Sequence, residues 1–163
     1  MNDSPAHRNV QLVVDALRAG GAADRAVDGL RLLPDAVTTA ASAAAALGVE
    51  VGQIANSLVF DADGEPLLVL ISGAHRVDTG KVAALIGVRK VTRASPDFVR
   101  AATGQVIGGV APVGHPAPLR TLVDRALEVF DEIWAAGGIA HAVFPTTFAE
   151  LLRVTGGEPA DVA

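Results

Sequence analysis

Apolar and polar positions alternate along this chain first at helical spacing and then at strand spacing. Val10, Val13, Val14 and Leu17 fall on one face of a helix from Pro5 to Ala19, which Gly20-Gly21 ends. Leu30 to Leu33 is a short apolar run closed by Pro34 and reads as a strand. Thr38 or Thr39 caps a helix through Ala46 that Gly48 stops. Val51 to Ile54 reads as a turn or a short helical start. Ser57 to Phe60 and Pro66 to Ser72 read as the two strands of a hairpin, joined through the turn Asp61-Ala62-Asp63-Gly64.

The second half continues in the same manner. Asp78 to Leu85 reads as a helix with Val82, Leu85 and Ile86 inward, and Lys90 to Arg93 as a short strand. Ser95 caps a helix from Pro96 to Ala102. Arg120 to Asp124 is a strand, and Leu127 to Phe130 a partly helical turn. Glu132 to Ala135 and Ala140 to Phe144 read as paired strands around Gly137-Gly138. Thr146 or Thr147 caps a last helix, Phe148 to Thr155, and the tail from Glu158 to Ala163 is expected to be frayed or loosely docked. Helices and strands interleave, and at least one hairpin is antiparallel. The expected fold is therefore a mixed α/β domain, not a doubly wound parallel one. No repeat, linker or break divides residues 1–163, although residues 1–20 are able to stand as a helical appendage joined through Gly20-Gly21.

Composition narrows the function. At 163 residues, half of them hydrophobic, the chain has enough interior for one real core. The mean hydropathy of +0.40 owes much to alanine, and no apolar run is long enough to span a bilayer. Met1-Asn2-Asp3-Ser4-Pro5 lacks the basic and apolar regions of a leader, so a cytoplasmic location is expected. There is no cysteine, which removes disulfides, thiolate metal sites and cysteine nucleophiles. A net charge of −5 argues against binding along a nucleic-acid backbone, though not against contact with a nucleic-acid end. Arg89, Lys90 and Arg93 form a small basic cluster that reads first as a solvated surface.

Chemistry points to the stretch from Thr103 to Pro116. Gly108, Gly109 and Gly114 let the backbone approach a ligand, and Pro112 and Pro116 stiffen the path. Such a loop offers main-chain groups in fixed positions, suited to a small polar group or an oxyanion. His115 lies inside it, with ligand contact and packing on its own turn both open. Asp124 ends an apolar strand shortly after the loop, where a site role and a helix-capping role are equally open. His7 reads as solvated and His141 as a structural residue in a strand. Asp61, Asp63 and Glu65 fit turn geometry. No HExxH, Gly-x-Ser-x-Gly, Walker A or dinucleotide signature occurs, and no grouping of ligands suggests a metal.

Several segments together carry a resemblance. They are Gly52-Gln53-Ile54-Ala55-Asn56-Ser57-Leu58-Val59-Phe60, Val77-Asp78, Ala94-Ser95-Pro96, Thr103-Gly104 with Gly108-Gly109-Val110-Ala111-Pro112, and Val123-Asp124. In this order they resemble the YbaK/prolyl-tRNA synthetase-associated domain family, from about Leu30 onward. Each motif is weak alone, and five in order are specific. The resemblance implies a barrel-like central mixed sheet surrounded by helices. It also implies hydrolysis of wrongly charged aminoacyl-tRNA, most often mischarged tRNA(Pro), by a protein acting in trans. Alanine, serine, threonine and cysteine esters are taken by different members. The implied partners are the aminoacyl-tRNA acceptor end and an aminoacyl-tRNA synthetase, with no membrane, DNA, metal or cofactor.

The loop of residues 108–112 would hold the ester through backbone groups while water, or a group on the substrate, attacks. The expected catalytic set is Asn56, Gly108, Gly109, Val110, Ala111 and Pro112. The expected substrate-binding set is Gly73, His115, Asp124 and Gly138. One departure stands out. The family pattern Ile-x-Lys-Ser-Leu-Val-Phe carries a lysine important for activity, and this chain has Asn56 there. An amide hydrogen-bonds but supplies no cation. Losing a charge-assisted contact is worth roughly 1.5–3 kcal/mol, or about ten- to a hundred-fold. Asn56 is compatible with an altered or weakened deacylase, with a binding protein, or with an engineered substitution. Arg76 is one residue able to restore the charge.

Overall fold

A strand with three neighbours organises the molecule. The computed structural model describes residues 5–35 and 37–163; Met1 to Ser4, read above for a leader, and the side chain of His7 lie outside the described residues. Helix α1 spans Pro5–Ala19, α2 Asp24–Asp28, α3 Ala40–Leu47, α4 Thr79–Ile86, α5 Pro96–Thr103 and α6 Phe148–Thr155. Strands are β1 Arg31–Leu32, β2 Ile54–Ala62, β3 Glu65–Ser72, β4 Val91–Arg93, β5 Arg120–Asp124, β6 Ile133–Ala136, β7 Ala142–Thr146 and β8 Glu158–Ala160. They form one mixed sheet in the order β1-β7-β6-β2-β3-β5-β8, with β4 attached separately to β2.

The β2–β3 hairpin is longer than the sequence pattern suggests. The register runs from Ala55↔Ser72 to Ala62↔Glu65, leaving Asp63 and Gly64 as a two-residue turn. Both have positive φ (51° and 94°), which a primed hairpin turn requires and an Asp-Gly pair tolerates. The Asp63 carboxylate accepts from the amides of Arg89 and Lys90, so it fastens the approach to β4.

The caps sit where expected. Thr39, Ser95 and Thr147 accept from the third residue of α3, α5 and α6, and Gly48, Gly104 and Gly156 end them in the left-handed region. Asp78 caps α4 and is not its first residue. Leu85 is 53% exposed where an inward position was expected. The α4 face centres on Val82, Ala83 and Ile86, which turns Leu85 away.

Three further differences have physical causes. The segment from Glu158 is not frayed: β8 pairs in parallel with β5, Val162 is fully buried, and its carbonyl accepts from Asp78 N at 2.8 Å. Pro159 interrupts any periodicity there, so only the tertiary partner reveals the strand. Helix α2 has no side-chain N-cap and five residues, too few to show a period. His141 is not within a strand but in the β6–β7 connection, with φ 71°. Among the described residues, no helix is long and apolar enough to cross a membrane.

Candidate active site

β3 covers one edge of β2 along its length. The other edge is shared. β6 pairs with it in parallel at Ile54 and Ala55, and β4 pairs antiparallel at Phe60, Asp61 and Ala62. Residues 56–59 therefore have no ladder partner on that side, and no other backbone hydrogen bond among the described residues reaches them. Where β4 and β6 diverge, a cavity of about 540 Å³ opens on this bare edge.

Strand alternation gives the cavity two walls. Asn56 and Leu58 share the side of Ile54, which packs with Trp134, Leu33 and Ala43. Ser57 shares the side of Ala55 and Val59, which pack with Val99 and Val110. Arg93 and His141 are the ionisable side chains lining the cavity, and no carboxylate does so among the described residues. Among the described residues Ser57 Oγ is buried and has no hydrogen-bond partner, so none of them activates it as a nucleophile. His141 is committed through Nδ1, which donates to Val37 O at 2.8 Å.

The loop of residues 108–112 is sorted residue by residue. Gly109 N donates to Val106 O at 3.0 Å. Ala111 N donates to Gln105 Oε1 at 2.7 Å, and Ala111 O accepts from His115 Nε2 at 2.8 Å. Pro112 has no N–H. The N–H groups of Gly108 and Val110 have no partner among the described residues, and these two residues line the cavity. Val110 is buried, so its amide is held away from bulk water. Gly109 lies so close to the β6–β7 connection that a Cβ would come within 2.5 Å of the Ile139 carbonyl carbon.

A buried glutamine fixes this arrangement. Gln105 is 1% exposed and also reaches Val113 O at 3.4 Å. Thr103 Oγ1 donates to Val99 O and accepts from Gln105 N, tying the loop to the end of α5. Burial lowers the His115 pKa from its ordinary value, opposed by the bond to Ala111. The imidazole is thus kept neutral, with the proton on Nε2.

Of the expected site residues, Asn56, Gly108 and Val110 are on the cavity wall, and Gly109, Ala111 and Pro112 are not. Gly73, His115, Asp124 and Gly138 do not line it. Gly73 packs against Val51, and Gly138 against Asn9 and Val13 of α1. His115 borders a separate cleft against α1. Asp124 is 2% exposed; it accepts from Ser72 N and Ala126 N and faces His75 Nδ1, each at 3.0 Å. It caps the short 3-10 turn Arg125–Val129. Sequence reasoning did not single out Gln105, Trp134 or Ser57. It read Arg93 as surface, and Arg93 is exposed on β4, where it also borders the cavity. A tryptophan and a glutamine set among small residues were the available signals. Arg76 is not on the wall. Among the described residues no group of three His, Asp or Glu side chains is placed to hold a metal ion.

Residues 34–154 match the model of the aminoacyl-tRNA editing domain. The chain belongs to the aminoacyl-tRNA editing domain family. A proline–tRNA ligase of Nitratidesulfovibrio vulgaris (strain DP4) is 34% identical over 124 residues, covering 69% of this chain and 21% of the ligase. The match spans 14% to 21% of the length of such ligases. Protein YwhH of Bacillus subtilis (strain 168) is 31% identical, covering 69% of this chain and 72% of YwhH. A solved structure of a candidate trans-editing enzyme for prolyl tRNA synthetase superposes with a TM-score of 0.85 at 41% identity, over 94% of this chain and 96% of that one. The mixed sheet and its surrounding helices are the fold of this editing domain.

Proposed function

We propose that this chain is a trans-acting deacylase that hydrolyses the ester of a mischarged tRNA, with tRNA(Pro) as the first substrate. One observation carries the reading. Gly108 and Val110 line the cavity with amides that make no hydrogen bond among the described residues, while internal hydrogen bonds fasten Gly109 and Ala111. Donors fixed before the reaction stabilise an oxyanion without reorganising.

The ester carbonyl oxygen would sit at those amides. Water attacks the carbonyl carbon, and the tetrahedral oxyanion takes hydrogen bonds from the loop. The bond to the ribose oxygen then breaks, that oxygen takes the proton the attacking water gives up, and the free amino acid leaves. An aminoacyl ester is already activated, so positioning and oxyanion binding supply much of the acceleration. Among the described residues Ser57 has no base beside it, which argues against an acyl-enzyme. Asn56, on the Trp134 side of the bare edge, would hydrogen-bond the amino group or a terminal phosphate. A family member that retains binding and has lost turnover is the second reading, favoured by the missing cation at Asn56. The synthetase and the acceptor end are the proposed partners.

The test is discharge of Ala-, Ser- and Cys-tRNA(Pro) by excess protein, beside the same amino acids esterified to free adenosine. Hydrolysis that requires tRNA supports the reading. Equal hydrolysis of the adenosine esters would make the chain a small-ester hydrolase. Persistence of every ester would leave the binding reading.

A further inference from the structure

Trp134 is the chain's single tryptophan. It is 3% exposed, it borders the cavity, and its Nε1 is buried without a hydrogen-bond partner among the described residues. The Arg31 guanidinium covers the ring with Cζ 4.7 Å from its centroid, which fixes the indole. β6 holds it from both sides, at Ile54 in β2 and Pro145 in β7. Buried donors without acceptors are rare, and each asks for an explanation. The surrounding wall, with Leu33, Val37, Ala43, Ile54 and Val143, is apolar. An acceptor for this N–H can enter the cavity with a ligand.

We infer that Trp134 Nε1 is a specificity-determining donor that reads an oxygen acceptor on the aminoacyl side chain. The preferred substrates would then be hydroxyl-bearing aminoacyl esters over the alanyl ester. The inference rests on the deacylase reading. With the ester at Gly108 and Val110 on one wall, the side chain crosses the bare edge of β2 toward the other wall, where the indole N–H waits. A site that leaves a buried donor unpaired in the free state discriminates against an analogue that cannot pair it. The cavity has room for a side chain larger than a methyl group.

The chain's single indole N–H gives one side-chain signal in a proton–nitrogen correlation spectrum. The probes are the non-hydrolysable amides of 3′-amino-3′-deoxyadenosine with serine, threonine and alanine, and AMP alone. The expected result is a downfield move of the indole proton with the seryl and threonyl amides and a far smaller one with the alanyl amide and AMP. In deacylation, Trp134→Phe lowers kcat/KM for Ser-tRNA(Pro) about tenfold relative to Ala-tRNA(Pro); a purely structural role would lower both alike. Two outcomes overturn the inference alone: the Val110 amide moves with the seryl amide while the indole does not, or AMP moves the indole as far as the seryl amide does. If no probe moves either signal, the inference fails, while the deacylase reading is judged separately by discharge of the charged tRNA.

Discussion

Gln105 Oε1 accepts the backbone N–H of Ala111 at 2.7 Å, inside a buried loop. That bond decides which amides of residues 108–112 are left for a substrate. With Ala111 committed to Gln105 and Gly109 to Val106, Val110 lines the cavity and its N–H has no partner among the described residues.

Gln105→Leu keeps much of the volume and removes the acceptor. The Ala111 amide is then buried without a partner, which costs about 1–3 kcal/mol. Denaturant unfolding should show that loss with an unchanged slope. Single-turnover deacylation should fall further than substrate affinity does. Equal rates for both proteins would separate the loop's order from its chemistry.

Glycines 108 and 109 should respond differently to alanine. At Gly109 the methyl meets backbone of Ile139 and Ala140 that has little freedom to give, and overpacking costs about 1–3 kcal/mol. At Gly108 the space is open and φ is +95°, so the cost is conformational, about 1–2 kcal/mol. Thermal unfolding ranks the two, and both variants should lose deacylation because each moves the amide of Val110.

His115 makes stability depend on pH. Burial holds its folded pKa below the ordinary value of about 6.5, so the unfolded chain binds the proton more tightly. Its contribution is complete above pH ~6.5 and is lost as pH falls through the folded value. His115→Gln should flatten the stability curve in that acid window. A curve of unchanged slope would show that the imidazole is not kept neutral.

Arg93 tests the mouth of the cavity. It stands at the Phe60 end of the bare edge of β2, opposite Asn56, where a terminal phosphate would pass. Arg93→Gln should raise KM with kcat nearly unchanged and reduce the salt slope of binding by about one phosphate contact. A fall in kcat alone would place Arg93 at the chemistry instead.

Much of this fold is legible in sequence because its signals are local. Thr39, Ser95 and Thr147 with their terminal glycines mark helices, and Asp63-Gly64 marks the hairpin. β8 is invisible because its reason is β5, far back along the chain. The cavity escapes for a similar cause: it exists where β4 and β6 part from β2, a relation between three segments that no spacing encodes. The loop was legible as a loop, since its glycines and prolines carry the signal. Its division into spent and unspent amides was not, because that depends on the buried Gln105 side chain. Asp124 was open between a site role and a capping role, and it caps a turn and accepts Ser72 N.

Single-turnover deacylation of Ala-, Ser- and Cys-tRNA(Pro) by the native chain and by Asn56→Lys decides whether the loop of residues 108–112 carries hydrolysis. The native chain should discharge at least one ester, and the lysine variant should do so about ten- to a hundred-fold faster, the value of a restored charge-assisted contact. If both proteins in excess leave all three esters intact, the loop does not carry hydrolysis and the deacylase reading is contradicted.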